Sequence, residues 1–133
     1  MSRRIASSAM YAARLLREDG IVANACMPGG IWTGLQQHWD PAVLEREKTR
    51  AVDVVKTPEQ GAATSVLLAT APELDGALGG GYWEDCHEAQ VVEEVADGLH
   101  GVRAWALDPE DAARLRAVST ALVDAEHRRL GLG

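Results

Sequence analysis

Residue types able to bind a metal are concentrated in one short stretch, Glu84-Asp85-Cys86-His87-Glu88. Carboxylates, a thiol and an imidazole are all metal ligands, but neighbouring residues of a strand point to opposite faces. Zinc sites prefer spaced pairs, such as two cysteines separated by two residues, with a second pair elsewhere. The stretch lacks this spacing, and we therefore expect no metal site.

Other combinations of reactive residues also lack the required spacing. The four histidines are dispersed, and no serine or cysteine shares a recognisable nucleophile motif with a histidine and a carboxylate. The glycine-rich residues 76–81 lead into a predicted strand instead of following one, so they do not fit a phosphate-binding loop. These patterns assign no catalytic residue.

The chain then divides into predicted helices and strands. Apolar residues recur at helical spacing over residues 3–18, and Ile21 to Met27 is an apolar run typical of a strand buried on both faces of a parallel sheet. Pro28-Gly29-Gly30 ends this strand sharply. Glycines 79–81 lead into a second predicted strand, Tyr82 to Cys86.

Three helix starts carry capping signals, in which a side chain accepts a backbone N–H of the first turn. They predict helices over about residues 41–52, 58–70 and 109–127, begun by Asp40-Pro41, by Thr57 with Gln60, and by Asp108-Pro109. Residues 87–107 show no clear period, and we predict an irregular segment there.

A strand, a helical crossover and a second strand predict one parallel βαβ unit of the α/β class, in a single domain of residues 1–133. Two parallel strands alone leave strand edges and apolar surface uncovered. We therefore expect the unit to be completed by a homo-oligomer, or by another chain that supplies the missing strands.

The charge pattern argues against nucleic acid as a partner. The formal net charge is -7, and the basic residues are scattered except for Arg3-Arg4 and Arg128-Arg129. Binding a phosphate backbone needs a clustered positive face. No run approaches the roughly 20 apolar residues needed to span a bilayer, and the residues after Met1 lack the apolar core of a signal peptide. We expect no membrane association and a cytoplasmic location.

Three motifs follow one another along the chain. Residues 24–33 read Asn-Ala-Cys-Met-Pro-Gly-Gly-Ile-Trp-Thr, residues 56–63 read Lys-Thr-Pro-Glu-Gln-Gly-Ala-Ala, and residues 79–86 read Gly-Gly-Gly-Tyr-Trp-Glu-Asp-Cys. They resemble, in order, the sixth strand, the next helix and the last strand of short-chain dehydrogenases/reductases, in the retinol-dehydrogenase-like branch. The resemblance covers residues 3–124 and implies only the C-terminal part of a Rossmann-like, NAD(P)-dependent oxidoreductase.

The resemblance implies a cofactor contact. In this family the Pro-Gly turn leaves its strand at the carboxyl edge of the sheet, where its backbone approaches the nicotinamide carboxamide. Carried over, this implies Pro28, Gly29, Ile31 and Thr33 as cofactor-binding residues. The alternative interpretation is a structural turn, in which Gly29 and Gly30 supply permissive backbone angles.

Two parts of the family's catalytic apparatus have no counterpart. The sequence lacks the family's G-x-x-x-G-x-G phosphate turn, and the lysine position of its Tyr-x-x-x-Lys pair falls at about Ser2, with the tyrosine position before Met1. We expect no catalytic residue, no dehydrogenase activity of the chain alone, and no tightly bound NAD(P).

The resemblance also implies a substrate lid over residues 37–56. Trp32, Gln36, His38 and Trp39 would then line a small apolar pocket. The alternative for the tryptophans is core packing or an interface with a partner.

Two further functions and one interface stay open. The former substrate pocket would serve a repurposed enzyme with His38, Asp85 or His87 as acid or base, or the chain is part of an active oxidoreductase whose N-terminal half it lacks. Relatives in the family are usually dimers or tetramers, which implies a homo-oligomer formed through residues 57–70 and 82–86.

Overall fold

Short strands form two small sheets, and helices pack beside them. The structure, a computed structural model, describes residues 2–50, 55–74 and 79–132. The strands are β1 (Ala25–Met27), β2 (Gly30–Ile31), β3 (Val55–Lys56), β4 (Tyr82–Glu84) and β5 (His87–Glu88). The α-helices are α1 (Ser2–Leu16), α2 (Pro41–Arg50), α3 (Pro58–Thr70) and α4 (Pro109–Leu130). Short 3-10 helices cover Arg17–Asp19, Gly34–His38, Pro72–Leu74 and Ala104–Leu107.

The central pair of strands is parallel. In β1 and β4, Ala25 lies opposite Tyr82 and Met27 lies opposite Glu84. Because α3 lies between these strands in the chain, β1, α3 and β4 form the predicted βαβ unit. The mixed α/β class is confirmed, with a small sheet that contains a parallel pair, and it is compatible with part of a Rossmann-like fold.

The first strand is shorter than predicted. The sequence predicted a strand from Ile21 to Met27 buried on both faces, whereas β1 begins at Ala25. Ile21 and Val22 are 49% and 40% exposed. Within residues 2–50, 55–74 and 79–132 the sheet order is β1-β4-β5, so β1 is an edge strand there, and the residues before it gain no second ladder to extend the strand.

The last predicted strand, Tyr82 to Cys86, ends two residues early. β4 ends at Glu84, and Asp85 and Cys86 have positive φ angles of 46° and 63°. β5 then runs antiparallel to β4, with His87 opposite Glu84. Two residues of positive φ between paired strands form a type I′ hairpin turn, which usually carries Asn-Gly or Asp-Gly. Because Asp85-Cys86 lacks the glycine that is typical of this turn, the sequence did not predict it.

Residues 87–107 are more ordered than predicted. They contain β5, a bridge between Val91 and Val102, and a 3-10 helix at Ala104–Leu107. They also contribute Ala89, Val102 and Ala106 to a buried apolar cluster that contains Ala6, Ala25 and Tyr82. β5 has only two residues, and Val91 and Val102 form a single bridge, so neither pairing leaves a periodic pattern in the sequence.

The three capping predictions are confirmed. Asp40 Oδ1 accepts the N–H of Ala42 at 2.8 Å, and Asp108 Oδ1 accepts the N–H of Glu110 at 2.7 Å. Both hydrogen bonds of the capping box between Thr57 and Gln60 are present. The predicted end of the second helix, residues 51–52, lies outside the described residues.

Candidate cofactor and substrate site

The Pro28-Gly29 turn follows β1 directly, beside the end of β4. Because these strands are parallel, their carboxyl ends share one edge of the sheet, which is where open α/β sheets bind ligands. Pro28 is exposed and Gly29 is half-buried, so the turn is partly open to solvent. Gly29 has a φ of +93°, which favours glycine.

Ile31 and Thr33, two predicted cofactor-binding residues, also have structural contacts. Ile31 packs against α3, since a Cβ added at Gly61 would lie 2.1 Å from Ile31 Cδ1. Thr33 caps the 3-10 helix that follows, because its Oγ1 accepts the N–H of Leu35 at 3.2 Å. The cofactor contact of both residues stays a prediction beside these structural roles.

Gln36 completes a second capping box with Thr33. Gln36 Oε1 accepts the N–H of Thr33 at 2.9 Å, and Nε2 donates to the carbonyl of Ile31 at 3.2 Å. Both ends of this side-chain amide, which was predicted to line a substrate pocket, therefore bind the backbone. The Thr-x-x-Gln spacing, the same as in Thr57 and Gln60, was a signal for this box.

Trp32 and Trp39 meet edge to face, with ring centroids 6.3 Å apart and an interplanar angle of 83°. Beside them lies an open groove of about 440 Å³ lined by Trp39, Asp40, Val43 and Glu47. His38 instead places its Nε2 3.1 Å from Nε2 of Gln37. The structure thus joins two of the four predicted pocket residues. The lid over residues 37–56 stays a prediction, and residues 51–54 of it lie outside the described residues.

A network of charged groups lies beside the Pro28-Gly29 turn. Lys56 Nζ donates to the carbonyl of Pro28 at 3.4 Å and forms an ion pair with Asp85. His100 Nε2 lies 3.0 Å from the second carboxylate oxygen of Asp85, and His100 Nδ1 pairs with Asp97. The charged network connects the turn, β3, the hairpin and the loop that precedes Gly101.

These contacts shift the pKa of three groups in the charged network. The hydrogen bond from Lys56, with a smaller contribution from His100, lowers the pKa of Asp85. The backbone N–H and then the ring of His100 lower the pKa of Asp97. Hydrogen bonds to Asp97 and then to Asp85 raise the pKa of the His100 imidazole. Each shift favours the charged form of the group.

The sequence interpretation missed Lys56, Asp97 and His100. Asp97-Gly98 is a turn signal, and Asp97 Oδ1 does accept the N–H of Leu99 at 2.8 Å. No spacing rule connects Lys56 with Asp85, which follows it 29 residues later.

The three residues suggested for a repurposed active site do not form one group. Asp85 belongs to the charged network, whereas His87 Nδ1 lies 2.9 Å from the carbonyl of Glu88 and His38 bonds to Gln37. Among the hydrogen bonds of the described residues, none joins His38 or His87 to Asp85. The structure pairs Asp85 with His100 instead, and the changed-chemistry alternative stays a prediction.

The stretch Glu84–Glu88 divides between separate environments. The buried carboxylate of Glu84 accepts the N–H of Gly101, while Asp85 faces Lys56. Within the part of the chain that the structure describes, no three histidine, cysteine, aspartate or glutamate side chains are grouped so as to hold a metal ion. None of the helices described there combines the length and apolarity needed to cross a bilayer.

Several curated proteins are similar to the chain. A "probable oxidoreductase" of Streptomyces lividans is 47% identical over 110 residues, which cover 77% of this chain and 37% of the relative. A short-chain dehydrogenase/reductase of Penicillium rubens is 40% identical over 107 residues, covering 79% and 31%. Human retinol dehydrogenase 14 is 32% identical over 95 residues, covering 70% and 28%.

The chain spans roughly a third of the length of these relatives. The matched region is the C-terminal portion of the relatives. No protein-family model matches the chain. No solved structure matches it significantly.

Proposed function

We propose that the chain forms the nicotinamide and substrate side of an NAD(P)-dependent oxidoreductase fold. The chain belongs to the short-chain dehydrogenase/reductase family and corresponds to its C-terminal part. One observation carries the proposal. The Pro28-Gly29 turn lies at the carboxyl edge of the parallel strands β1 and β4 and is partly open to solvent. The contact between Trp32 and Trp39 beside a groove supports a substrate-side role for the following segment.

Under this proposal the chain alone does not transfer hydride. The Tyr-x-x-x-Lys pair supplies the family's proton-transfer chemistry, and the glycine-rich turn binds its pyrophosphate, but neither motif is present in the sequence. Contacts to the pyrophosphate and adenosine supply most of the affinity for a dinucleotide. We therefore expect the chain alone to bind NADH or NADPH no tighter than about millimolar.

Titration of the chain with NADH and NADPH, followed by tryptophan fluorescence, tests the expected weak binding by the chain alone. Micromolar binding by the chain alone would overturn it. The role as the nicotinamide side of the fold is tested by co-expression with the N-terminal portion of the Streptomyces lividans oxidoreductase, which should give an assembly that binds NAD(P)H at micromolar concentrations. An assembly that forms but binds no nucleotide contradicts the proposal.

Two glycine variants make that second test specific to the turn. Gly29→Val places a branched side chain at a φ of +93° and should remove the nucleotide binding of the assembly. Gly34→Ala is the matched control, because a Cβ there meets no atom within 4 Å. Equal effects of the two substitutions would show that the turn has no special part in binding.

The proposal includes a partner that completes the sheet. In the part of the chain that the structure describes, β1 is an edge strand, and Ile21 and Val22 before it are 49% and 40% exposed. An unpaired edge beside exposed apolar residues favours pairing with another strand. A second copy, or a chain carrying the missing strands, would supply it.

The interface proposed over residues 57–70 and 82–86 is better supported at its helix. Val66 of α3 is 56% exposed, whereas β4 lies between β1 and β5 and has both edges occupied. We expect light scattering to find a dimer or a larger oligomer, and Val66→Asp to weaken it. Val118→Asp, at a 52% exposed residue of α4, is the control. A stable, well-folded monomer would contradict self-association.

A further inference from the structure

The Lys56 side chain connects the two strand ends that border the site. Its Nζ donates to the carbonyl of Pro28 at 3.4 Å and pairs with the carboxylate of Asp85 in the hairpin after β4. Lys56 itself lies in β3, opposite Ile31 of β2. One side chain therefore connects the turn after β1 with the turn after β4.

The aliphatic part of Lys56 lies directly over Gly29. A Cβ added at Gly29 would lie 2.9 Å from both Cδ and Cε of Lys56 and 3.0 Å from its Nζ. The φ of +93° at Gly29 is also one that side chains rarely adopt. Glycine at this position therefore permits both the backbone angle of the turn and the approach of the lysine.

Asp85, the partner of Lys56, is itself held in position. The hairpin turn fixes its backbone, and the buried Thr64 Oγ1 accepts the next N–H, that of Cys86, at 3.1 Å. His100 Nε2 contacts the other carboxylate oxygen at 3.0 Å. A carboxylate fixed from several sides restricts the otherwise flexible lysine side chain.

We propose that Lys56 and Asp85 are positioning residues that clamp the Pro28-Gly29 turn in the orientation needed by the nicotinamide end of a dinucleotide cofactor. The inference rests on the proposed function and adds the residues that regulate the orientation of its turn. Lys56 acts through the Pro28 carbonyl and not on the reacting atoms. Because the side chains of Lys56 and Asp85 are 25% and 37% exposed, salt should weaken the clamp.

NMR order parameters of the backbone amides of the full chain test the clamp without a ligand. Lys56→Met removes the charged donor and keeps a long stem, so the order parameters at Gly29 and Gly30 should fall from about 0.85, typical of rigid backbone, toward about 0.6. Lys56→Arg retains a donor and should restore the higher values. Lys48→Met is the control, since Lys48 forms an exposed pair with Glu45 on α2. Unchanged order parameters in Lys56→Met overturn the clamp.

Nucleotide binding by the assembly with the Streptomyces lividans N-terminal portion separates positioning from general stability. Lys56→Met should weaken NADH binding by about tenfold and leave the affinity for ADP-ribose, which lacks nicotinamide, unchanged. Equal weakening of both ligands would overturn the positioning role. A lower order parameter at Gly29 with unchanged NADH affinity would keep the clamp but overturn the cofactor contact of the proposed function.

Discussion

The carboxylate of Glu84 accepts the backbone N–H of Gly101 with both oxygens, each 2.9 Å from the nitrogen. Glu84 is 3% exposed and ends β4. At Gly101, φ is +89° and a Cβ would lie 2.7 Å from a methyl group of Val92. This interaction holds the loop that carries Asp97 and His100 against the end of the strand.

Replacing this carboxylate should destabilise the protein. Glu84→Ala leaves the Gly101 N–H without its acceptor and should lower the free energy of unfolding by about 1–3 kcal/mol. Glu93→Ala, at an exposed position, should change it by less than about 0.5 kcal/mol. Urea denaturation followed by tryptophan fluorescence measures both values. Similar losses in the two variants would show that the buried interaction contributes little.

A buried hydroxyl supports the hairpin turn. Thr64 is 2% exposed and its Oγ1 accepts the N–H of Cys86 at 3.1 Å. Thr64→Val keeps the shape but removes the acceptor, and should cost about 1–3 kcal/mol in unfolding free energy. Thr70→Val, on the exposed end of the same helix, should cost less than about 0.5 kcal/mol. Chemical denaturation distinguishes them, and no difference would refute the role of Thr64.

The backbone strain at Cys86 predicts a stabilising substitution. Its φ of 63° is one that glycine adopts without strain, and strain at such residues costs about 1–3 kcal/mol. Part of the gain from Cys86→Gly is offset by the greater freedom of glycine in the unfolded chain, about 0.5–1 kcal/mol. We expect a net stabilisation of about 1 kcal/mol by the same denaturation measurement.

A control glycine substitution in a helix should change the free energy of unfolding in the opposite direction. Ala113→Gly, at an exposed position inside α4, should destabilise by about 1 kcal/mol because the same loss of backbone restriction acts there without relief of strain. Destabilisation by both glycine substitutions would contradict the strain assigned to Cys86.

The contacts of His100 should make stability depend on pH. Because Asp97 and then Asp85 raise its pKa above the ordinary 6.5, the histidine contributes stability fully below pH 6.5 and loses it as pH rises through the folded-state pKa. The pKa values of both carboxylates are lowered from 3.8, so their contribution is present above that pH and is lost on acidification. The wild type should therefore exceed His100→Gln in stability by more at about pH 5.5 than at about pH 8.5.

Urea midpoints of the two proteins at both pH values test this prediction. Asp97→Asn should lower the pKa of His100 in an NMR titration, because it removes the first of the two carboxylates that raise it. A stability difference independent of pH would show that protonated His100 does not strengthen the contact.

Local signals predicted the helices, while the lengths of the strands depended on distant residues. Asp40, Thr57 and Asp108 each cap a helix through a hydrogen bond to an N–H two or three residues later, so the sequence contains both partners within one turn. The strand predicted from Ile21 was cut short at its start because strand pairing needs a neighbour that the local sequence does not specify.

The sequence by itself determined the family, the four α-helices, the two strands of the βαβ unit and the glycine turn at Pro28-Gly29, because each depends on residue types at short spacing. Only the tertiary structure decided that Lys56 lies over that turn and pairs with Asp85, and that His100 joins them. These contacts join residues far apart in sequence. They exist because β1 and β4 align in parallel and the hairpin turns Asp85 toward the same sheet edge, where charge pairing completes the arrangement.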